Sequence, residues 1–144
     1  MFIARSMQEA LSVLLTVGRG VDIAELCGGG ARTTTVAIRR NLVGGKNFDL
    51  VTHTDLGCPR EQKATLRYLD EAFVFVFVLA PSCRSMGPMS HVSHVVNYQM
   101  WLRHYQEDAP HIKLCGTAAA HQLSKGRHFL CEQPNPTWLF HEPP

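Results

Sequence analysis

An α/β domain built on a mostly parallel sheet is the fold class this sequence predicts, and three observations predict it. Short apolar runs alternate with stretches of helical periodicity along the chain. One run, FVFVFVLA at residues 73–80, is apolar at every position, as a strand covered on both faces must be. Glycine or proline punctuates the changeovers. Strand and helix in alternation pack as a three-layer sandwich, helices on both faces of the sheet.

The elements follow in order. The opening MFIARSMQEALSVLLTVGRG mixes an acid and arginines into its apolar residues, which reads as a peripheral amphipathic helix over residues 7–17 rather than a signal peptide. Residues 21–27 (VDIAELC) form a first strand, GGG a turn, and ARTTTVAIRRNLVG a helix stopped by Gly44 and Gly45. Residues 48–55 (FDLVTHTD) read as a second strand, GCP as a turn, and residues 61–72 as a helix with Ala64, Leu66 and Leu69 on its apolar side. Residues 73–80 are the third, central strand. A loop, PSCRSMGPMS, leads into a helix from about residue 91 to 106. Pro110 is expected to interrupt it, having no N–H to donate. A second helical piece runs to Ser124, residues 128–134 (HFLCEQP) form a fourth strand, and residues 135–144 are a peripheral tail. One Rossmann-like domain over residues 1–144 accounts for the whole chain.

Composition narrows the class. With 45% apolar and 18% charged residues among 144, the chain is an ordinary globular protein large enough for its own core. Net charge is only +2, and the basic residues are scattered (Arg39 and Arg40; Arg60, Lys63 and Arg67; Lys125 and Arg127), so no concentrated basic face is visible. The longest apolar run is far short of the roughly 20 residues that span a bilayer, so no membrane association is expected. Five cysteines, an odd number at wide spacing with no CxxC pair, point to a reducing compartment inside the cell, nucleus or cytoplasm. His91 and His94 share a helical face, but finger-type ligand spacing is missing and no metal site is expected.

Chemistry collects at the strand ends. In an open parallel sheet, ligands bind beyond the carboxyl ends of the strands. Here those ends carry Glu25, Leu26, Cys27, Gly28, Gly29 and Gly30, then His53, Thr54 and Asp55, then Pro81, Ser82 and Cys83, then Cys131, Glu132 and Gln133. The glycine turn permits close backbone approach, yet neither GxxxxGK[ST] nor GxGxxG is present. Acids at the first two strand ends, Glu25 and Asp55, suit a ligand with a cationic part and ribose hydroxyls, and S-adenosylmethionine has both. Cys83 is a candidate nucleophile, with Arg84 alongside to favour its thiolate. Glu132, partly desolvated in the same crevice, is a candidate proton donor. Trp101, Tyr105, Trp138 and Phe140 could stack on bases, although aromatics at such spacing more often serve packing.

Three segments, VDIAELCGGGARTT, APSC and CEQP, together resemble the C5-cytosine DNA methyltransferases, and more closely a group of short, divergent methyltransferase-like sequences. The resemblance covers about residues 20 to 140 and lies in the order of the motifs. It implies a class I methyltransferase core, incomplete at the C-terminus, with S-adenosylmethionine as cofactor and nucleic acid, DNA before RNA, as partner. Glu25, Leu26 and Cys27, with Gly28, Gly29 and Gly30, would line the cofactor site, with Asp55 on the ribose. Pro81 would shape the loop of Cys83, which attacks C6 of cytosine, and Glu132 would bind the N3 side of the ring. The sequence departs from the family at Ser82, where proline is usual, and at Arg84, where glutamine is usual. Two alternatives stand beside this expectation: a degenerate, non-catalytic nucleotide-binding or scaffold module, and a Rossmann-like oxidoreductase, which the glycine spacing suits poorly.

Overall fold

The computed structural model describes residues 20–141. Four parallel strands form one sheet in the order β2-β1-β3-β4. These are β1 (Ile23–Leu26), β2 (Gly44–Phe48), β3 (Val76–Leu79) and β4 (His128–Cys131). The helices are α1 (Arg32–Arg39), α2 (Pro59–Glu71), α3 (Ser90–Val96) and α4 (Tyr98–Ser124), with short 3-10 turns at Leu50–Thr52 and Leu139–His141. The expected amphipathic helix over residues 7–17 lies outside the described residues.

Register decides which side chains form the core. Ala24 pairs with Phe77, Leu26 with both Phe48 and Leu79, so these five share one face. Leu69 of α2 and Leu114, Cys115 and Ala118 of α4 complete the buried cluster on that side. Helix α1 covers the other face over β1 and β2. It sits so close that a Cβ on Gly44 would lie 2.7 Å from Thr34 and from Ile38. The molecule is therefore a Rossmann-like α/β sandwich of three layers, as the alternation predicts. β3, flanked by β1 and β4, is central.

The third strand is residues 76–79, not 73–80, which leaves Phe73 and Phe75 exposed, and the fourth is 128–131, not 128–134. Three further differences from the sequence reading each have a local reason. The second strand is residues 44–48, not 48–55. Gly44 and Gly45 belong to the strand because α1 and Tyr68 press against them: a Cβ on Gly45 would lie 2.9 Å from the Tyr68 hydroxyl. The apolar pair Leu50 and Val51 is then exposed, in a turn that Asp49 closes by accepting from the Val51 N–H at 3.0 Å. The long helical stretch breaks at Asn97, whose side chain accepts from the Met100 N–H at 3.1 Å, and not at Pro110. Pro110 sits inside the 27-residue α4, which is held on both sides of it by Asp108 and by Leu114 and Cys115 in the core. The third difference is the tail. Leu139 is buried, and the Trp138 N–H and Thr137 hydroxyl both donate to the Met86 carbonyl, at 2.9 and 3.1 Å. Residues 137–139 pack on the loop after β3 and are not peripheral.

Polar side chains lock the far end of the sheet. Gln122, fully buried, donates at 3.0 Å to the carbonyls of Val74 and His128 and so ties β3 to β4. Arg127 is buried too. It donates to the Leu69 carbonyl and to Asp70, which also pairs with His121 at 3.0 Å. Desolvation opposes the charged form of Asp70, yet hydrogen bonds from Arg127 and His121 outweigh it and hold the carboxyl below its ordinary 3.8. A folded-state pKa below the unfolded one stabilises the fold above that unfolded value, and the contribution disappears as pH falls through the folded one. Asp70→Asn is accordingly expected to flatten the loss of stability below about pH 4. Urea midpoints at pH 7, 4 and 3 for both proteins check this, and parallel curves would contradict it.

Candidate functional site

Parallel strands deliver all four carboxyl ends to one edge, and the backbone ladder continues past them. The Cys27 N–H donates to the Phe48 carbonyl, that of Ala80 to Leu26, and that of Glu132 to Leu79. The loops after β1, β2, β3 and β4 therefore emerge side by side.

The glycine loop is self-contained. Glu25 is only 2% exposed, and its carboxylate accepts from the Thr34 N–H, joining the end of β1 to the first turn of α1. That placement suits the partial positive charge of a helix N-terminus. Asn47 accepts from the Gly28 N–H at 3.2 Å and donates to the Gly29 carbonyl at 2.8 Å. Asp49 accepts from the Gly29 N–H at 3.0 Å. Gly28 is required by this packing, since its Cβ would meet Glu25 and would lie 2.9 Å from Asn47 Oδ1. Nothing lies within 4 Å of a Cβ built on Gly29 or Gly30, so the tip of the loop faces open space. Gly28→Ala is expected to destabilise the fold by about 2 kcal/mol. Gly30→Ala should change stability by less than about 0.5 kcal/mol. Chemical denaturation of the two variants separates these outcomes.

The other expected cofactor residues take varied positions. The side chain of Leu26 is fully buried in the core cluster, so it supports the loop from below and offers a ligand only backbone. Cys27 adopts a left-handed backbone conformation (φ 59°). Burial, with smaller contributions from the charges of Asp49 and Asp108, pushes its thiol up to about 12. It is a protonated, packed sulfur at neutral pH. Asp55 lies seven residues beyond the end of β2, exposed, and accepts from the Gly57 N–H at 2.9 Å in the turn before α2. The acid that directly follows β2 and reaches the glycine loop is Asp49.

The loop after β3 is pinned from several sides while its thiol stays exposed. Pro81 is buried, and its carbonyl accepts from Gln133 Nε2 at 2.5 Å, which joins this loop to the segment after β4. The Gly87 N–H donates to the Cys83 carbonyl at 2.7 Å, and the Ser90 hydroxyl to the Gly87 carbonyl at 2.6 Å. Asp108 of α4, 3% exposed, accepts from the Ser85 hydroxyl and from Arg84, both at 2.8 Å. Trp101 Nε1 donates to the Ser85 carbonyl at 3.1 Å. Cys83 is exposed at the head of this turn. Arg84, expected beside the thiol, instead pairs with Asp108 and with Glu107 at 2.9 Å, and its guanidinium is stabilised first by the hydrogen bond to Asp108. Glu132 follows β4 directly and is exposed, not partly desolvated.

Asn47, Asp49 and Asp108 are the residues that sequence reasoning missed, and Trp101, expected as a possible stacking ring, instead holds the loop through its indole N–H. The first two become visible once β2 is placed on the glycine pair. Asp108 carries no local signal, because its partners are 23 and 24 residues away. His91 and His94 pack edge-on against Trp138, with ring centroids 5.8 and 6.1 Å away, and His94 also against Trp101 at 4.6 Å. Among the described residues no group of three or more His, Cys, Asp or Glu is placed to hold a metal ion, and no helix is long and apolar enough to cross a membrane. Comparisons of this chain with protein-family models, with curated proteins and with solved structures return no match.

Proposed function

We propose that this domain is an S-adenosylmethionine-dependent methyltransferase-like module acting on cytosine C5 of nucleic acid, DNA in the first instance, inside the cell. One observation carries the reading. A glycine loop open at its tip, an exposed cysteine on a pinned turn and a glutamate lie on the carboxyl ends of three adjacent strands, β1, β3 and β4. The backbone at Gly29 and Gly30 can be approached closely, and Asp49, bonded to the Gly29 N–H, or the exposed Asp55 would meet the ribose hydroxyls. S-adenosylmethionine would supply the methyl group.

The chain's own residues would do the rest. Cys83 Sγ adds as thiolate to C6 of the ring, and Glu132 donates a proton toward N3, which makes C5 nucleophilic. After methylation a base would remove the C5 proton, the C6–S bond would break, the thiolate would leave and N3 would return its proton to Glu132. Calorimetric titration with S-adenosylmethionine tests the reading. We expect saturable binding that Gly30→Val weakens by at least about tenfold, with little change in unfolding midpoint, because that side chain fills the open tip. Absence of binding would overturn it. The capture of Arg84 by Glu107 and Asp108 favours a second reading, a module that binds the nucleotide without covalent chemistry. Cofactor binding with no adduct on any cytosine would establish that alternative.

A further inference from the structure

A small cavity lies beside the cysteine turn, lined by Met86, Gly87, Pro88, His91, Pro136 and Trp138, with a volume of about 150 Å³. Its walls are flat and stiff: two pyrrolidine rings, an imidazole and an indole. Met86 and Gly87 are buried beneath it. The Trp138 backbone is fixed to the Met86 carbonyl, and its ring stands edge-on to His91 at an interplanar angle of 83°. Trp138 is nevertheless 37% exposed and lines the cavity, so part of its surface is available to a ligand. A cavity of about 150 Å³ with apolar walls is the size that admits a benzene-like ring. That volume matches a single ring better than the fused rings of a purine. His91 is the single ionisable side chain in the lining and offers one polar edge, which favours a heteroaromatic ring over a plain hydrocarbon.

The position matters as much as the shape. Gly87 lines the cavity and also donates to the Cys83 carbonyl, and a Cβ at Gly87 would lie 3.0 Å from Cys83 Cβ. Cys83 is not part of the lining but is hydrogen-bonded to Gly87, which is, so a ring seated there lies one residue away from the cysteine turn. We infer that this cavity is a subsite for one pyrimidine ring, held against Trp138 and His91, that flanks the reacting nucleotide. The flanking role rests on the proposed function, whereas the ring subsite itself does not.

The test uses the full chain and nucleosides alone. Uridine and adenosine are titrated while the Trp138 indole N–H resonance is followed by NMR, assigned with Trp138→Phe. Uridine is expected to shift it saturably and to bind more tightly than adenosine. His91→Ala, an exposed position, is expected to weaken uridine by about fivefold, the order expected for one aromatic contact. No uridine-dependent shift, a preference for adenosine, or an unchanged uridine affinity in His91→Ala would overturn the inference. A uridine response in a protein that fails to bind S-adenosylmethionine would retain the subsite and reject the methyltransferase reading; the reverse pair of results would do the opposite.

Discussion

Cys83→Ala is expected to abolish covalent trapping of an oligonucleotide that carries 5-fluorocytosine, while cofactor affinity and unfolding midpoint stay those of the parent. The fluorine cannot leave C5 as a proton does, so an adduct formed at C6 persists and migrates as a stable complex. No other residue can replace a nucleophile, and removing one usually lowers turnover by 10³-fold or more, roughly, in enzymes that use covalent catalysis. The fold should not respond, because Cys83 is exposed and the turn is held through its carbonyl and not its sulfur. Three of the other four thiols are poor substitutes. Cys115 is deep in the core, and burial raises its pKa, as it does for Cys27 and Cys131. Trapping that survives in Cys83→Ala would move the nucleophile elsewhere.

Asp108→Ala is expected to be the most destabilising single change near the site, at about 3 kcal/mol in chemical denaturation. Its carboxylate is buried and accepts from Ser85, which is itself fully buried and would lose its acceptor. Arg84, partly exposed, can turn to Glu107 and to water, so the main penalty is the orphaned serine hydroxyl and the polar void. The serine carbonyl is meanwhile held by Trp101. The loop should therefore loosen around Ser85 while Trp101 still grips one side, and adduct formation at Cys83 should fall more than cofactor affinity. Asp108→Asn keeps one acceptor oxygen and is expected to recover at least about half of the lost stability. Equal losses in the two variants would show that the charge, and not the hydrogen bond to Ser85, anchors the turn.

Much of this architecture is legible without coordinates, and the reasons are physical. A strand between two others, covered on both faces, must be apolar throughout, and residues 76–79 of the greasy run are that strand. Parallel pairing follows from the alternation of strand and helix, because each crossover returns the chain to the same end of the sheet. With the strands parallel, the glycine loop, Cys83 and Glu132 had to arrive at one edge. Periodicity failed where side chains compete with backbone: Asp49 turns an apolar strand pattern into a 3-10 corner, and Asn97 ends a helix that Pro110 does not.

The sequence by itself determined the fold class, the place of the central strand and three of the four strand ends, since these depend on burial pattern and chain direction. Only the tertiary structure decided which acid meets the glycine loop, Asp49 rather than Asp55, and that Arg84 faces Asp108 instead of the thiol. It alone showed that Trp138, read as part of a peripheral tail, lines a ring-sized cavity next to the cysteine turn. Those outcomes rest on contacts between residues 20 to more than 50 positions apart, where local propensity carries no information and packing makes the choice.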